Sequence, residues 1–280
     1  MELTSTPSRT EHLQSSVQDT PSGQWPTSTR LFESGKLEHR KELLGAKLGK
    51  TLPEKTQAHW LSDILPPTKL TRDDINGVYK RVVQDGIYCP VSKTWRELRK
   101  PPKTDPRHET KVYQPLVPIF NAILDAVPPA LAPQKLIYKQ KPYTPPTDGR
   151  PDDRTKPDAN FVRITSSTAN ATSIDKISWI NIREIQEFKK DGTRADLEEI
   201  IKQIIWHLHM PLDTDLRRWC VYGSTIINNN MRGYRMSREG VVVSQEVDIT
   251  EAGSAFSCRI CHPDRVRKRV PPWDRPQNHP

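Results

Sequence analysis

Cysteine is scarce in this chain. There are four in 280 residues: Cys89, Cys220, Cys258 and Cys261. That is too few for a disulfide framework at this length and points to a reducing compartment. Apolar residues are also few, at 34 % with a mean hydropathy of −0.73. A compact domain of this size is normally richer in them, so part of the chain is expected to lie outside the core. No apolar run approaches the length of a membrane span. The first residues, Met1 to Pro7, have neither a basic n-region nor an apolar h-region, which excludes a signal peptide. The expectation is a soluble intracellular protein, cytoplasmic or nuclear, with no membrane partner. No internal repeat is visible.

Proline, by contrast, is abundant: 26 residues, gathered at the ends and in linkers. The net charge is +9 and the isoelectric point about 9.4. This balance permits a polyanionic partner such as nucleic acid, and equally suits a basic protein without one. Residues 1–30, rich in Ser, Thr, Pro and Gln, bury too little apolar surface to offset ordering entropy and are expected to be disordered. A helical extension and linker are expected over 31–107, an α/β domain over 108–250, and a basic Pro-rich tail over 251–280.

Periodicity supplies the elements. Leu37, Leu43, Leu44 and Leu48 suggest a helix within 31–50. Thr71 opens a second, with Ile75, Val78, Tyr79, Val82 and Val83 on one face. A third is expected over His108–Val127, with Pro115 and Pro118 weakening its first half. Phe161–Ile164 reads as a short strand. Trp179–Phe188 reads as a second strand, whose alternation slips near Ile185 as a bulge would make it. Thr193, with Asp196 three residues on, marks a helix start. Leu197, Ile200, Ile201, Ile204, Ile205 and Leu208 carry that helix until Pro211, which is expected to stop it. Arg218–Ile227, Met231–Met236 and Val241–Ile249 then form a strand meander.

Asp158 directly precedes the first strand. Glu187 and Lys189 end the second, two residues apart and hence on one face. If the strands pair, Asp158 approaches Glu187 at one end of the sheet. Two carboxylates with water and phosphate oxygens suit Mg²⁺, and a lysine beside them can steady developing phosphate charge. The bland reading of Glu-x-Lys on an exposed strand is a solvated charge pair.

Lys156-Pro157-Asp158-Ala159-Asn160-Phe161, followed by Gln186-Glu187-Phe188-Lys189, resembles the PD-(D/E)XK nuclease superfamily. The resemblance implies a restriction-endonuclease-like mixed sheet flanked by helices. It implies a catalytic set of Glu109, Asp158, Glu187, Lys189 and Gln203. Glu109 would come from the helix before the sheet and Gln203 from the helix after it. It also implies Mg²⁺ on Asp158 and Glu187. Asp152 and Asp153 follow Pro151 and compete for the role of Asp158, which is preferred because a hydrophobic strand follows it at once.

A closer similarity is to the N-terminal region of fungal-type protein kinases. It runs through Glu109–Val117, Phe120–Ile123, Pro157-Asp158 and Glu187-Phe188-Lys189. Its most specific stretch is Arg217–Ile249, with Arg218-Trp219-Cys220-Val221-Tyr222-Gly223-Ser224-Thr225 and Ser237-Arg238-Glu239-Gly240-Val241. The chain shows no Gly-rich phosphate loop, no catalytic-loop Asp with its Asn and no Asp-Phe-Gly. No ATP site is therefore expected. The sequence reads as the nuclease-like module of such a kinase, cut short before its catalytic domain. The alternatives are a Mg²⁺-dependent nuclease and a basic nucleic-acid-binding protein with an inactive site. Cys258-x-x-Cys261-His262 has the spacing of a haem attachment or part of a zinc site, against which stands chance in a tail. Arg265–Arg269 is a basic cluster suited to nuclear localisation, to nucleic acid or simply to solvent.

Overall fold

The computed structural model describes residue 42 and residues 52–66, 70–98, 100–131, 135–140, 143–149, 155–164 and 177–250. Apart from Glu42, the expected helix within 31–50 lies outside these residues, as do both tails, the Asp152 and Asp153 alternatives, the Cys258–His262 motif and the Arg265–Arg269 cluster.

The domain is an α/β/α arrangement around one mixed sheet. Its strands are β1 (Glu54–Lys55), β4 (Leu136–Gln140), β5 (Ala159–Arg163), β6 (Ile182–Lys189), β7 (Cys220–Ile227), β8 (Asn230–Ser237), β9 (Val241–Ser244) and β10 (Val247–Asp248). They lie in the order β1-β9-β8-β7-β6-β5-β4, with β10 also pairing with β8. A small hairpin, β2 (Tyr88–Cys89) with β3 (Thr94–Trp95), stands apart. Helices α1 (Arg72–Gln84), α2 (Glu109–Tyr113) and α3 (Leu116–Ala126) precede β4, and α4 (Arg194–Thr214) joins β6 to its parallel neighbour β7.

Each sheet face carries its own core because side chains alternate along a strand. On one face Tyr138, Ala159, Phe161, Phe188, Ile226 and Met231 pack with the apolar faces of α1 and α3. On the other, Ile182, Ile185, Val221, Tyr234 and Val243 pack against Ile204, Ile205 and Leu208 of α4. The approach of α4 is close: a Cβ built at Gly223 would lie 2.9 Å from the Leu208 side chain.

Most of the expected elements are present, with informative differences. The third helix is broken at Gln114-Pro115 into α2 and α3, because proline has no N–H to continue the ladder. Pro211 does not stop α4, which runs on to Thr214. In the last turn Pro211 forfeits only one hydrogen bond, while burial of Met210 and Leu212 holds the turn in place. The register slip on β6 falls where Phe161 faces Glu184 but Val162 faces Ile182, which makes Arg183 the extra residue. The meander is β7-β8-β9, and its last expected strand is split into β9 and β10. β4 occupies a segment for which no element was expected. Its outer edge is covered by Asn121 of α3, which donates to the Tyr138 carbonyl at 3.0 Å and accepts from its N–H at 2.8 Å.

The core also draws on residues upstream of the expected 108–250 domain. Val78 and Val82 of α1, with Tyr88 and Trp95 of the hairpin, belong to the same cluster as Phe120 and Phe161. The Trp95 indole donates to the Ile249 carbonyl at 3.0 Å. The apolar stripe of α1 needs a surface to cover it, and α3 supplies one. Further upstream, β1 pairs with β9 and Trp60 lies over the backbone of β8. A Cβ at Gly233 would meet the Trp60 ring at 2.6 Å. Gly233→Ala is therefore expected to destabilise the domain by about 1–3 kcal/mol through overpacking. Urea unfolding of the variant checks this, and an unchanged midpoint would contradict it.

Candidate acidic centre at the end of the sheet

The residues singled out in the sequence lie at the end of β6. Ala159 pairs with Gln186, so Asp158, one step outward, stands opposite Glu187. The Asp158 carboxylate accepts a hydrogen bond from the Phe188 N–H at 2.9 Å. Glu109 comes from the first turn of α2 and accepts from the Lys190 N–H at 3.0 Å. α2 is held there by Tyr113, whose ring stacks on Phe188 at 4.6 Å. The Tyr113 hydroxyl donates to the carbonyls of Lys189 at 2.7 Å and Asn228 at 3.1 Å.

The side chains of Glu187 and Lys189 both turn toward α4. Lys189 pairs with Glu199 at 3.1 Å, and Glu199 also accepts from the Gln203 side chain at 2.9 Å. Gln203 thus stands behind the partner of Lys189, while Asp158 feels the charges of Glu187 and Glu109, and Lys189 those of Glu109 and Asp158.

Those interactions leave their mark on protonation. Burial pushes the Asp158 carboxyl up to about 8, and the negative charges of Glu187 and Glu109 add to it against the Phe188 N–H and His207. Burial also raises Glu109, opposed chiefly by Lys189. Burial pulls Lys189 down, but the hydrogen bond and charge of Glu199 outweigh it and leave its pKa raised. Carboxylates crowded into one desolvated place, one of them kept protonated near neutrality, form a group able to hold and move a proton.

Two further residues complete the centre, and the sequence reading passed over both. His207 of α4 lies with Nδ1 2.5 Å from Glu187 Oε1. Its Nε2 is hydrogen-bonded to the Thr155 hydroxyl. All three are buried: Thr155 4 %, Glu187 2 % and His207 3 % exposed. A signal for His207 was available. It stands three residues after Ile204 and seven after Ile200, on the apolar stripe itself, where a polar side chain must find a buried partner. Thr155 sits in a polar, Pro-rich stretch with nothing to distinguish it.

Mg²⁺ takes near-octahedral oxygen ligands and keeps several of its waters, whereas Glu187 is enclosed and hydrogen-bonded to an imidazole. Among the described residues, no group of three or more His, Cys, Asp and Glu side chains is placed to hold a metal ion.

Fold and site together define an α/β protein with a mixed sheet and a buried acidic centre at the sheet's end. Residues 156–262 match the family described as fungal protein kinase. The matched stretch takes in β5 through β10 with Asp158, Glu187, Lys189, Gln203 and His207, and leaves Glu109 outside it. No curated protein matches the chain. Among the described residues no helix is long and apolar enough to cross a membrane.

Proposed function

We propose that this domain is a nuclease-like module of a fungal-type protein kinase, one that contributes no phosphotransfer of its own. The observation that carries the reading is the position of the family match. It falls on the sheet, the crossover helix and the acidic centre. The likeness to the PD-(D/E)XK arrangement is supported by the order of elements: helix, antiparallel strand pair, crossover helix, parallel strand. It is supported too by the place of Asp158, Glu187 and Lys189 at one sheet end. Kinase catalysis needs a phosphate-cradling loop and metal-binding carboxylates on a catalytic loop, and the sequence has neither.

The test uses the purified chain with radiolabelled ATP, Mg²⁺ and a generic protein acceptor. No incorporation above a mock purification is expected, and no saturable ATP binding. Incorporation that co-purifies with the chain would overturn the reading. Supercoiled DNA and single-stranded RNA incubated with Mg²⁺ address the hydrolytic alternative. Cleavage lost in both Asp158→Asn and Lys189→Ala would replace the proposed function with that of a nuclease.

A further inference from the structure

We infer that His207 occupies the place a divalent cation would need at Glu187, so that the acidic centre is a metal-independent site held together by an imidazole. The geometry is complete on both sides of the ring. Nδ1 lies 2.5 Å from Glu187 Oε1, and with the hydrogen assigned to Nδ1 the carboxylate oxygen accepts it. Nε2 is then left to accept from the Thr155 hydroxyl. One tautomer satisfies both bonds.

Nor is the ring free to withdraw. It lies on α4 at 3 % exposure, on a helix whose neighbouring Ile204 and Leu208 are also fully buried. Turning it outward would break the Thr155 bond and open a void against β6. The neighbouring carboxylate is held by one backbone contact, Asp158 Oδ2 receiving the Phe188 N–H at 2.9 Å. Lys189 is paired with Glu199, further toward the N-terminus of α4. A hydrated cation of the Mg²⁺ type would have to displace a buried N–H donor and bring its waters into a space that is 2–3 % exposed at Glu187 and His207.

The inference is independent of the kinase reading, because its readouts are cation binding alone. The probes are Mg²⁺ and the paramagnetic Mn²⁺, added at millimolar concentration to the full chain. In the wild-type protein Tm is expected to stay unchanged. Mn²⁺ should remain free by electron paramagnetic resonance. The imidazole signals of His207 should escape stoichiometric paramagnetic broadening.

In His207→Ala a space opens beside Glu187 and Asp158 with the carboxylates still present. This variant is expected to gain a cation-dependent rise in Tm of a few degrees, since a ligand that binds only the native state stabilises it. Adding Glu187→Gln to that background should abolish the gain. Stoichiometric Mn²⁺ binding by the wild-type chain, weakened by Glu187→Gln, would overturn the inference. So would a folded His207→Ala variant that gains no response to either cation. Should His207→Ala fail to fold, the wild-type binding and broadening measurements decide alone.

Discussion

Replacing Glu184 by glutamine is expected to make the domain more stable above pH 8 and to leave it nearly unchanged below pH 4.5. Glu184 is 5 % exposed on β6. Burial lifts its carboxyl from 4.5 to about 8, against the Ser224 hydroxyl, which donates to it at 3.0 Å. The sign follows from proton counting. Between pH 4.5 and about 8 the folded state keeps a proton that the unfolded state has released. Stability contributed by the protonated group is complete below the lower value. It is lost as pH rises through the window and levels off above it. At about 1.4 kcal/mol per pH unit the loss amounts to several kcal/mol.

Glutamine keeps the oxygen that Ser224 needs and never ionises, so the variant should show a flatter profile. Asp158, raised from 3.8 to about 8, adds a contribution of the same sign that remains in the variant. Urea unfolding across pH measures the difference. Parallel profiles for wild type and Glu184→Gln would show that Glu184 does not titrate in this window.

Phe161→Ala is expected to cost about 3–5 kcal/mol, enough to unfold a marginal domain. Phe161 is 0 % exposed. Its ring centroid lies 5.3 Å from Phe120 of α3 and 4.8 Å from Tyr138 of β4, and those two rings are 4.7 Å apart. The trio joins the edge strand, the strand that leads out of the acidic centre and the helix behind them. Deleting its middle member leaves a cavity that two rigid rings cannot fill. The same truncation at Leu197, 37 % exposed on α4, should change stability by less than about 0.5 kcal/mol. Equal midpoints for the two variants in urea would contradict this account of the core.

Both variants act on residues whose setting the sequence conveyed only in part. Phe161 was legible as core from its place in an apolar strand. Glu184 is one of the polar residues set between the isoleucines of that strand, yet it is buried. The sheet is covered on both faces, so alternation on β6 separates two cores rather than core from solvent. The same fact explains why Glu187 is enclosed instead of lying on an open, solvated face.

The sequence by itself determined the local structure of this protein. The capping box of Thr193 with Asp196 starts α4, and that of Thr71 with Asp74 starts α1. The strands around Asp158 and Glu187 also follow from it. Each depends on neighbours a few residues apart, and such interactions are written in spacing. Spacing likewise put Glu187 and Lys189 on one strand face. Only the tertiary structure decided that α1 and the hairpin share the core of the sheet, that β4 covers its edge, and that His207 reaches Glu187 across 20 residues of chain. Those pairings are set by which surfaces remain to be buried once the elements exist, and a periodic pattern records that a face is apolar without recording what covers it. His207 is the sharpest instance: its position on the stripe of α4 required a buried partner, and the parallel crossover from β6 to β7 made that partner Glu187.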